Sequence, residues 1–192
     1  RELPSPVPGP KQVLVRTRVA AVNFPDALMV AGKYQFKPDF PFSPGGELSG
    51  EIIAVGSEVK RLSVGDKVVG IATHGAYAQE TLIDANTVIP LPADISDADL
   101  ELAGSFVLTY GTSLHALKDR ANGQAGETLL VLGAGGGVGL AAVEIGKLLG
   151  MRVIAAASSA EKLQAARDRG ADDTIDYTTE DLRERIKALT EG

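Results

Sequence analysis

The residues best suited to chemistry in this chain are glycines. Leu129-Leu130-Val131-Leu132-Gly133-Ala134-Gly135-Gly136-Gly137-Val138-Gly139 is an apolar run that opens into a glycine-rich loop, and a helix-like pattern follows from about Gly137 to Leu149. The glycines permit a tight turn and let ligand oxygens approach bare backbone. A helix start adds free N–H groups and the positive end of its dipole. Set between strand and helix, such a loop is built to hold a dinucleotide pyrophosphate. The candidate contacts are Gly136, Gly137, Val138 and Gly139.

The end of the following strand tells which dinucleotide. Sites for NAD usually carry an acidic residue there, bonded to the ribose 2′-hydroxyl. Here the strand ends Ala155-Ala156-Ala157-Ser158-Ser159, with no acid and with Lys162 one turn further on. Hydroxyls with a nearby cation suit a 2′-phosphate, which favours NADPH and makes Ser158 and Lys162 candidate contacts. The plainer reading is compatible with this one: Ser158 or Ser159 caps the helix, Glu161 completes a box with Ser158, and Lys162 is solvated. The missing acid also argues against S-adenosylmethionine.

The elements that position these residues fall into two grammars. Up to about residue 95 the pattern is β. Lys11 to Val22 alternates, Leu48–Val55, Lys67–Ala72, Ala76–Ile83 and Thr87–Leu91 follow, and glycines punctuate them as in a small barrel. From Ser96 the period changes, and Ser96-Asp97-Ala98-Asp99 resembles a capping box ahead of a helix. Helices are expected near Ala98–Gly104 and Thr112–Asp119, then strand 128–132, helix 137–149, strand 153–157, helix 160–169, a short strand around Ile175 and a helix near 180–189 with Leu182, Ile186 and Leu189 on one stripe. Strand–helix alternation gives a parallel sheet. The expected organisation is α/β plus β: a barrel over 1–103, then half of a doubly wound parallel sheet over 104–192. Three strands are half of that plan, and the sequence starts at Arg1 and stops after a helix, so it reads as a fragment.

Composition narrows the function classes. The 192 residues carry net charge −6 and no cysteine. There is no basic footprint for nucleic acid, no apolar run long enough for a membrane, and no disulfide, thiolate nucleophile or cysteine-bound metal. Without a signal-type segment a cytoplasmic location is expected. His74 and His115 have no companions at metal-ligand spacing and read as structural. Gly139 to Lys147 has the wrong spacing for a P-loop, and Gly46 to Gly50 the wrong spacing for a nucleophile elbow.

These residues also carry a resemblance. Gly126-Glu127, Leu130, Ala134 to Gly139 and Lys147 resemble the zinc-independent quinone oxidoreductase branch of the medium-chain dehydrogenase/reductase superfamily. Val22-Asn23-Phe24-Pro25-Asp26, Gly32-Lys33-Tyr34, Pro44 to Gly50 and Val64-Gly65-Asp66-Lys67-Val68 are similar to its GroES-like catalytic domain. The resemblance implies a GroES-like barrel and a Rossmann domain with the nicotinamide between them, of which the second Rossmann half is missing here. It implies NADPH:quinone oxidoreductase activity, and a homodimer for the full-length protein. Glu144 stands where the family pattern has Gln, away from the phosphates, and little consequence is expected.

The zinc ligands of the alcohol dehydrogenase branch fall on Asn23, Gly46 and about Gly104, which do not make a zinc site. Without a Lewis acid, alcohol oxidation gives way to hydride transfer onto a conjugated acceptor: a quinone, an enone or an enoyl thioester. Asn23 could then bond a substrate carbonyl or a ribose hydroxyl, or only form an Asx turn. Tyr34 matches a proposed proton donor of enoyl thioester reductases, against a plain half-buried aromatic. Thr112 resembles a cofactor-contacting threonine at a helix start, where capping explains it nearly as well. Tyr177 matches a tyrosine flanking the adenosine phosphate. The alternatives are an enoyl thioester reductase and, in another class, an NADPH-binding structural or RNA-associated protein of the crystallin type.

Overall fold

The structure is a computed structural model, and it describes residues 3–190. The chain divides into two compact units, 1–108 and 109–192. In unit 1, β1 (Gln12–Ala20), β2 (Glu47–Val55), β3 (Lys67–Ile71), β4 (Glu80–Asp84) and β5 (Val88–Pro90) form one antiparallel sheet in the order β4-β1-β2-β3-β5. The edge strands β4 and β5 are joined by only a 3₁₀ turn, Ala85–Thr87. A flat five-stranded sheet would hold its edges about 19 Å apart, whereas four residue steps reach at most about 14 Å. The sheet must therefore curl into a barrel, and bulges in β1 at Leu14/Val15 and Thr17/Val19 help it bend. Val13, Val15, Leu48, Ile52, Val68, Ile83 and Val88, drawn from all five strands, share one core. The Arg61 guanidinium pins the connecting turn by donating to the carbonyls of Ala85 and Val88.

Two details of unit 1 differ from the sequence expectation. The strand expected over Ala76–Ile83 starts only at Glu80, because Gly75 takes φ +104° and the backbone of Gly75, Ala76 and Tyr77 bonds to Pro44 and Gly45 instead. A short helix, α1 (Phe24–Val30), follows Asn23 where no helix was expected. Its local signal is present: Asn23 at the cap, Pro25 in the first turn, and Asp26 accepting from Asn23 N at 2.8 Å. The helix α2 (Asp97–Ala103) forms as expected, with Ser96 as its cap and Asp99 N donating to Ser96 Oγ at 3.1 Å.

The two compact units divide at 108/109, five residues beyond the domain boundary expected from sequence at 103/104. The reason is packing: α2 lies on β1, β2 and β3, and a Cβ on Gly104 would fall 2.8 Å from Ser49 Oγ. The segment after α2 is thus part of the barrel. The helix α3 (Val107–Leu114) starts in unit 1 and runs on as a π-helical turn, His115–Arg120.

Unit 2 has a parallel sheet in the order β6 (Thr128–Leu132), β7 (Arg152–Ala157), β8 (Asp173–Asp176). The central strand β7 is buried on both faces. Val153 and Ala155 join a core with Val131, Val143 of α4 (Gly137–Leu148) and Ala166 of α5 (Ala160–Asp168). Ile154 and Ala156 join Ile175 and the Leu182, Ile186 and Leu189 stripe of α6 (Leu182–Thr190). Two crossover helices on one face and the next helix on the other is the plan of a doubly wound sheet. Among the described residues no helix is long and apolar enough to cross a membrane.

Candidate functional site

In the glycine loop each glycine has a different task. Gly133 turns the chain out of β6 in the left-handed region, φ +66°. A Cβ on Gly139 would lie 2.5 Å from Gly133 O and 2.8 Å from Ala134 Cα, so Gly139 allows α4 to close onto the strand end. Gly135 is covered from the other side, since a Cβ there would sit 2.4 Å from Lys162 Cβ. Gly136 faces open space at a φ that any residue could adopt, with only Gly133 O at 3.6 Å from its would-be Cβ. Gly136 is also the N-cap of α4, and no side chain caps that end. The bare N–H groups of Gly137, Val138 and Gly139 beside open backbone make a cradle of the right chemistry for phosphate oxygens. Gly139 thus contributes chiefly packing and its N–H.

Thr112 does not stand at a helix start, as expected, but inside α3, so capping does not explain it. It lines a cavity of about 510 Å³ together with Ser113, Leu130, Gly136, Gly137 and Val138. The neighbouring buried Ser113 donates from Oγ to Val138 O at 3.0 Å and fixes α3 to the first turn of α4. Sequence reading missed Ser113, because its partner lies 25 residues away.

Beyond β7 the cap of α5 is Ser159, which accepts from Lys162 N at 3.4 Å. The expected box between Ser158 and Glu161 does not form, since Ser158 precedes the cap. Ser158 Oγ instead accepts from Lys162 Nζ at 3.3 Å. The Lys162 stem runs along Gly135, which brings its ammonium, the Ser158 hydroxyl and the glycine loop to one edge of the sheet. Tyr177 N donates to Ala157 O at 3.3 Å, so this half-exposed ring sits at the same edge.

A polar cluster in unit 1 surrounds Asn23. This half-exposed side chain donates from Nδ2 to Glu47 Oε1 at 2.9 Å, and Glu47 Oε2 accepts from Leu108 N at 2.9 Å. Asp26 accepts from Gly45 N at 3.2 Å and from the Tyr77 hydroxyl at 2.8 Å. Asp26 and Glu47 are both buried, 5% and 1% exposed. Burial first, then the hydrogen bond and charge of Asp26, push the Tyr77 phenol up to about 12. Tyr34 lies beyond the other end of α1, its N–H bonded to Leu28 O at 3.2 Å. Asn23 and Tyr34 therefore flank the same short helix and share no hydrogen bond. Close by in sequence, Phe36 and Phe42 each lie 6.0 Å from the His74 ring, centroid to centroid. His115 Nδ1 meets Asp119 Oδ2 at 2.9 Å on the surface. Both histidines have ordinary packing partners.

Glu144 is tied in more firmly than expected. Its carboxylate accepts from the Tyr110 hydroxyl and, at 2.7 Å, from Arg169 Nη1, joining α3, α4 and the end of α5. Desolvation alone would raise the Glu144 pKa, but the bonds from Tyr110 and Arg169 and the Arg169 charge outweigh it and hold it low.

Residues 9–93 match the family of the alcohol dehydrogenase GroES-like domain, and residues 137–192 match the zinc-binding dehydrogenase family. Over 186 residues the chain is 41% identical to a quinone oxidoreductase-like protein 2 homolog of Nematostella vectensis, spanning 96% of this chain and 50% of that protein. The chain belongs to the quinone oxidoreductase branch of the medium-chain dehydrogenase/reductase superfamily. Its barrel is the GroES-like domain of that branch, and its parallel sheet belongs to the Rossmann domain. The quinone oxidoreductase of Pseudomonas syringae superposes with TM-score 0.93 at 34% identity, over 100% of this chain and 58% of that one. The Escherichia coli quinone oxidoreductase, solved in complex with NADPH, gives 0.91 at 34%, again over 100% and 58%. The chain spans about half the length of the curated relatives it matches.

Within this branch the positions of the alcohol dehydrogenase zinc ligands can be judged on their donors. Asn23 offers only a neutral amide, whose nitrogen is bonded to Glu47, Gly46 has no side chain, and Gly104 is pressed against Ser49 and Val19. These three do not make a donor set for zinc. Among the described residues no group of three or more His, Cys, Asp and Glu could hold a metal ion.

Proposed function

We propose that this chain binds NADPH in unit 2 and serves hydride transfer to a quinone or another conjugated carbonyl acceptor, without zinc. The observation that carries the reading is the neutral end of β7, where Lys162 Nζ meets Ser158 Oγ at 3.3 Å beside the open Gly136 backbone. A carboxylate at this edge would repel a 2′-phosphate, whereas an ammonium and a hydroxyl receive it. The NADPH complex of the Escherichia coli relative supports the same cofactor. Gly136, Gly137, Val138 and Gly139 would hold the pyrophosphate through backbone N–H groups, Thr112 would line the same cavity, and Tyr177 would flank the adenosine end. When bound, NADPH supplies a hydride. Asn23 would bond a ligand polar group, and the Tyr34 phenol would donate a proton to the carbanion or oxyanion that develops on the acceptor.

The test is a fluorescence titration of NADPH against NADH, using the emission of the reduced nucleotide, in the protein and in Lys162→Ala. NADPH should bind more tightly than NADH. The substitution should weaken NADPH about tenfold or more, the worth of one charge-assisted hydrogen bond, and leave NADH nearly unchanged. Equal affinities that ignore the substitution would overturn the assignment.

A further inference from the structure

Glu47 is the most deeply buried charged side chain of unit 1, at 1% exposure, and the roles above leave it unused. It lies 24 residues from Asn23 and 61 from Leu108, yet it touches both. Oε2 accepts from the backbone N–H of Leu108, which can only donate, at 2.9 Å. Oε1 faces the Asn23 amide, also at 2.9 Å. A carboxylate only accepts, so the amide must turn its NH₂ inward. The reversed amide would set Oδ1 against Oε1, two acceptors with no proton between them. Asn23 backbone is held independently, since its N–H donates to Asp26 Oδ2 at 2.8 Å and it forms the N-cap of α1. The amide oxygen also faces the Asp26 N–H in the capping box of α1, so Glu47 on one side and the helix start on the other decide which end of the amide meets Glu47.

We propose that Glu47 is a positioning residue that holds the half-exposed Asn23 amide with its NH₂ toward Glu47 and its carbonyl oxygen Oδ1 turned away from that carboxylate. Asn23 then meets its ligand as an acceptor and selects a hydroxyl group. This rests on the reading that the chain binds NADPH and reduces a conjugated acceptor. Two hydroxyl sources share that chemistry: a ribose hydroxyl of the nucleotide and the hydroxyl formed when a quinone is reduced.

The polarity can be exchanged by substitution. In Glu47→Gln, the Leu108 N–H retains the Gln oxygen, so the Gln NH₂ faces Asn23 and the Asn23 amide must reverse. In the double variant Glu47→Gln, Asn23→Asp, a carboxylate at 23 accepts from that NH₂ and again turns an acceptor outward. Asn23→Asp alone sets two carboxylates together.

All four proteins would be measured for NADPH affinity by nucleotide fluorescence, for kcat and KM with a soluble benzoquinone, and for urea unfolding. Each single variant should lose about tenfold in binding or turnover, and the double variant should return to within about threefold of the parent. Loss and rescue in NADPH affinity identify the ribose hydroxyl. Loss and rescue in benzoquinone kinetics at constant NADPH affinity identify the quinol hydroxyl. Losses that simply multiply in the double variant would overturn the proposal and leave Glu47 a packing residue. The unfolding cycle reads the coupling of positions 23 and 47 whether or not there is activity. A parent protein that neither binds NADPH nor reduces benzoquinone, but shows that coupling, would overturn the functional reading and the ligand while retaining the orientation of Asn23.

Discussion

Single residues here act through what they are bonded to, and Tyr77 shows it most simply. Its phenol is withdrawn from water and its hydroxyl is held by buried Asp26, so ionising it would leave a poorly hydrated charge beside a second negative one. Its pKa stands at about 12 against an ordinary value near 10. A group whose pKa is raised by folding contributes stability that is fully present below the unfolded value. That contribution is lost as pH rises from about 10 through about 12. The chain has four tyrosines and no tryptophan, so phenolate absorbance near 295 nm can be followed directly. The difference between the titrations of the protein and of Tyr77→Phe should show a step near pH 12. A step near pH 10 would mean that neither the burial of the phenol nor its bond to Asp26 holds in solution. The contrast with Asn23 is one of legibility. Its place at the end of an alternating strand, ahead of Phe24-Pro25 and within a recognisable motif, made it a candidate from sequence, whereas the bond from Glu47 has no local signal because the contact spans 24 residues.

At the scale of elements, what could be read from sequence was what repeats locally. The glycine loop, the capping of α2 by Ser96 and the stripe of α6 each depend on residues within a few positions of one another. The late start of β4 and the extension of unit 1 to Leu108 depend on Pro44, Gly45, Ser49 and Glu47, and no periodicity within the segments themselves encodes those partners. Helix α1 is an instructive miss, since its cap signal was present but only seven residues follow it, too few for a helical period to stand out. Asp172 shows how such elements are tied. It accepts from Lys147 Nζ at 2.7 Å and from Val153 N at 2.6 Å, joining the end of α4 to the start of β7. Desolvation would raise its pKa, but these bonds and the Lys147 charge outweigh it and hold it low. A depressed carboxylate contributes stability above its unfolded value, near 4, and loses it as pH falls through the folded value. Both partners are about one third exposed, so solvent screens the pair. Asp172→Asn should therefore cost about 1 kcal/mol or less at pH 7. It should also flatten the decline of stability below about pH 4, which urea unfolding at pH 7 and pH 3.5 would measure. An undiminished acid decline would assign that decline to other carboxylates.

The whole molecule is built on separate cores: one shared by the five barrel strands and two on the faces of the parallel sheet. Each unit buries its own apolar residues, from which a cooperative transition of its own is expected for each. Apart from the ribose hydroxyl that Asn23 could take, the proposed nucleotide contacts, at 112, 136–139, 158, 162 and 177, belong to unit 2. A ligand stabilises whatever must be folded to bind it, by RT ln(1 + [L]/Kd). NADPH at about one hundred times its Kd should thus stabilise unit 2 by about 2.7 kcal/mol, slowing its globally exchanging amides about a hundredfold. Hydrogen exchange read by mass spectrometry, with and without NADPH, separates the outcomes. Peptides from β6, α4, β7 and α5 should gain that protection, with the largest effect at 133–139, where few backbone bonds hold the loop in the free protein. The slowest amides of β1 and β2 should gain far less, because their exchange follows the opening of the barrel core. Equal protection of both units would mean that they unfold as one, and protection confined to the barrel would place the nucleotide elsewhere than the glycine loop.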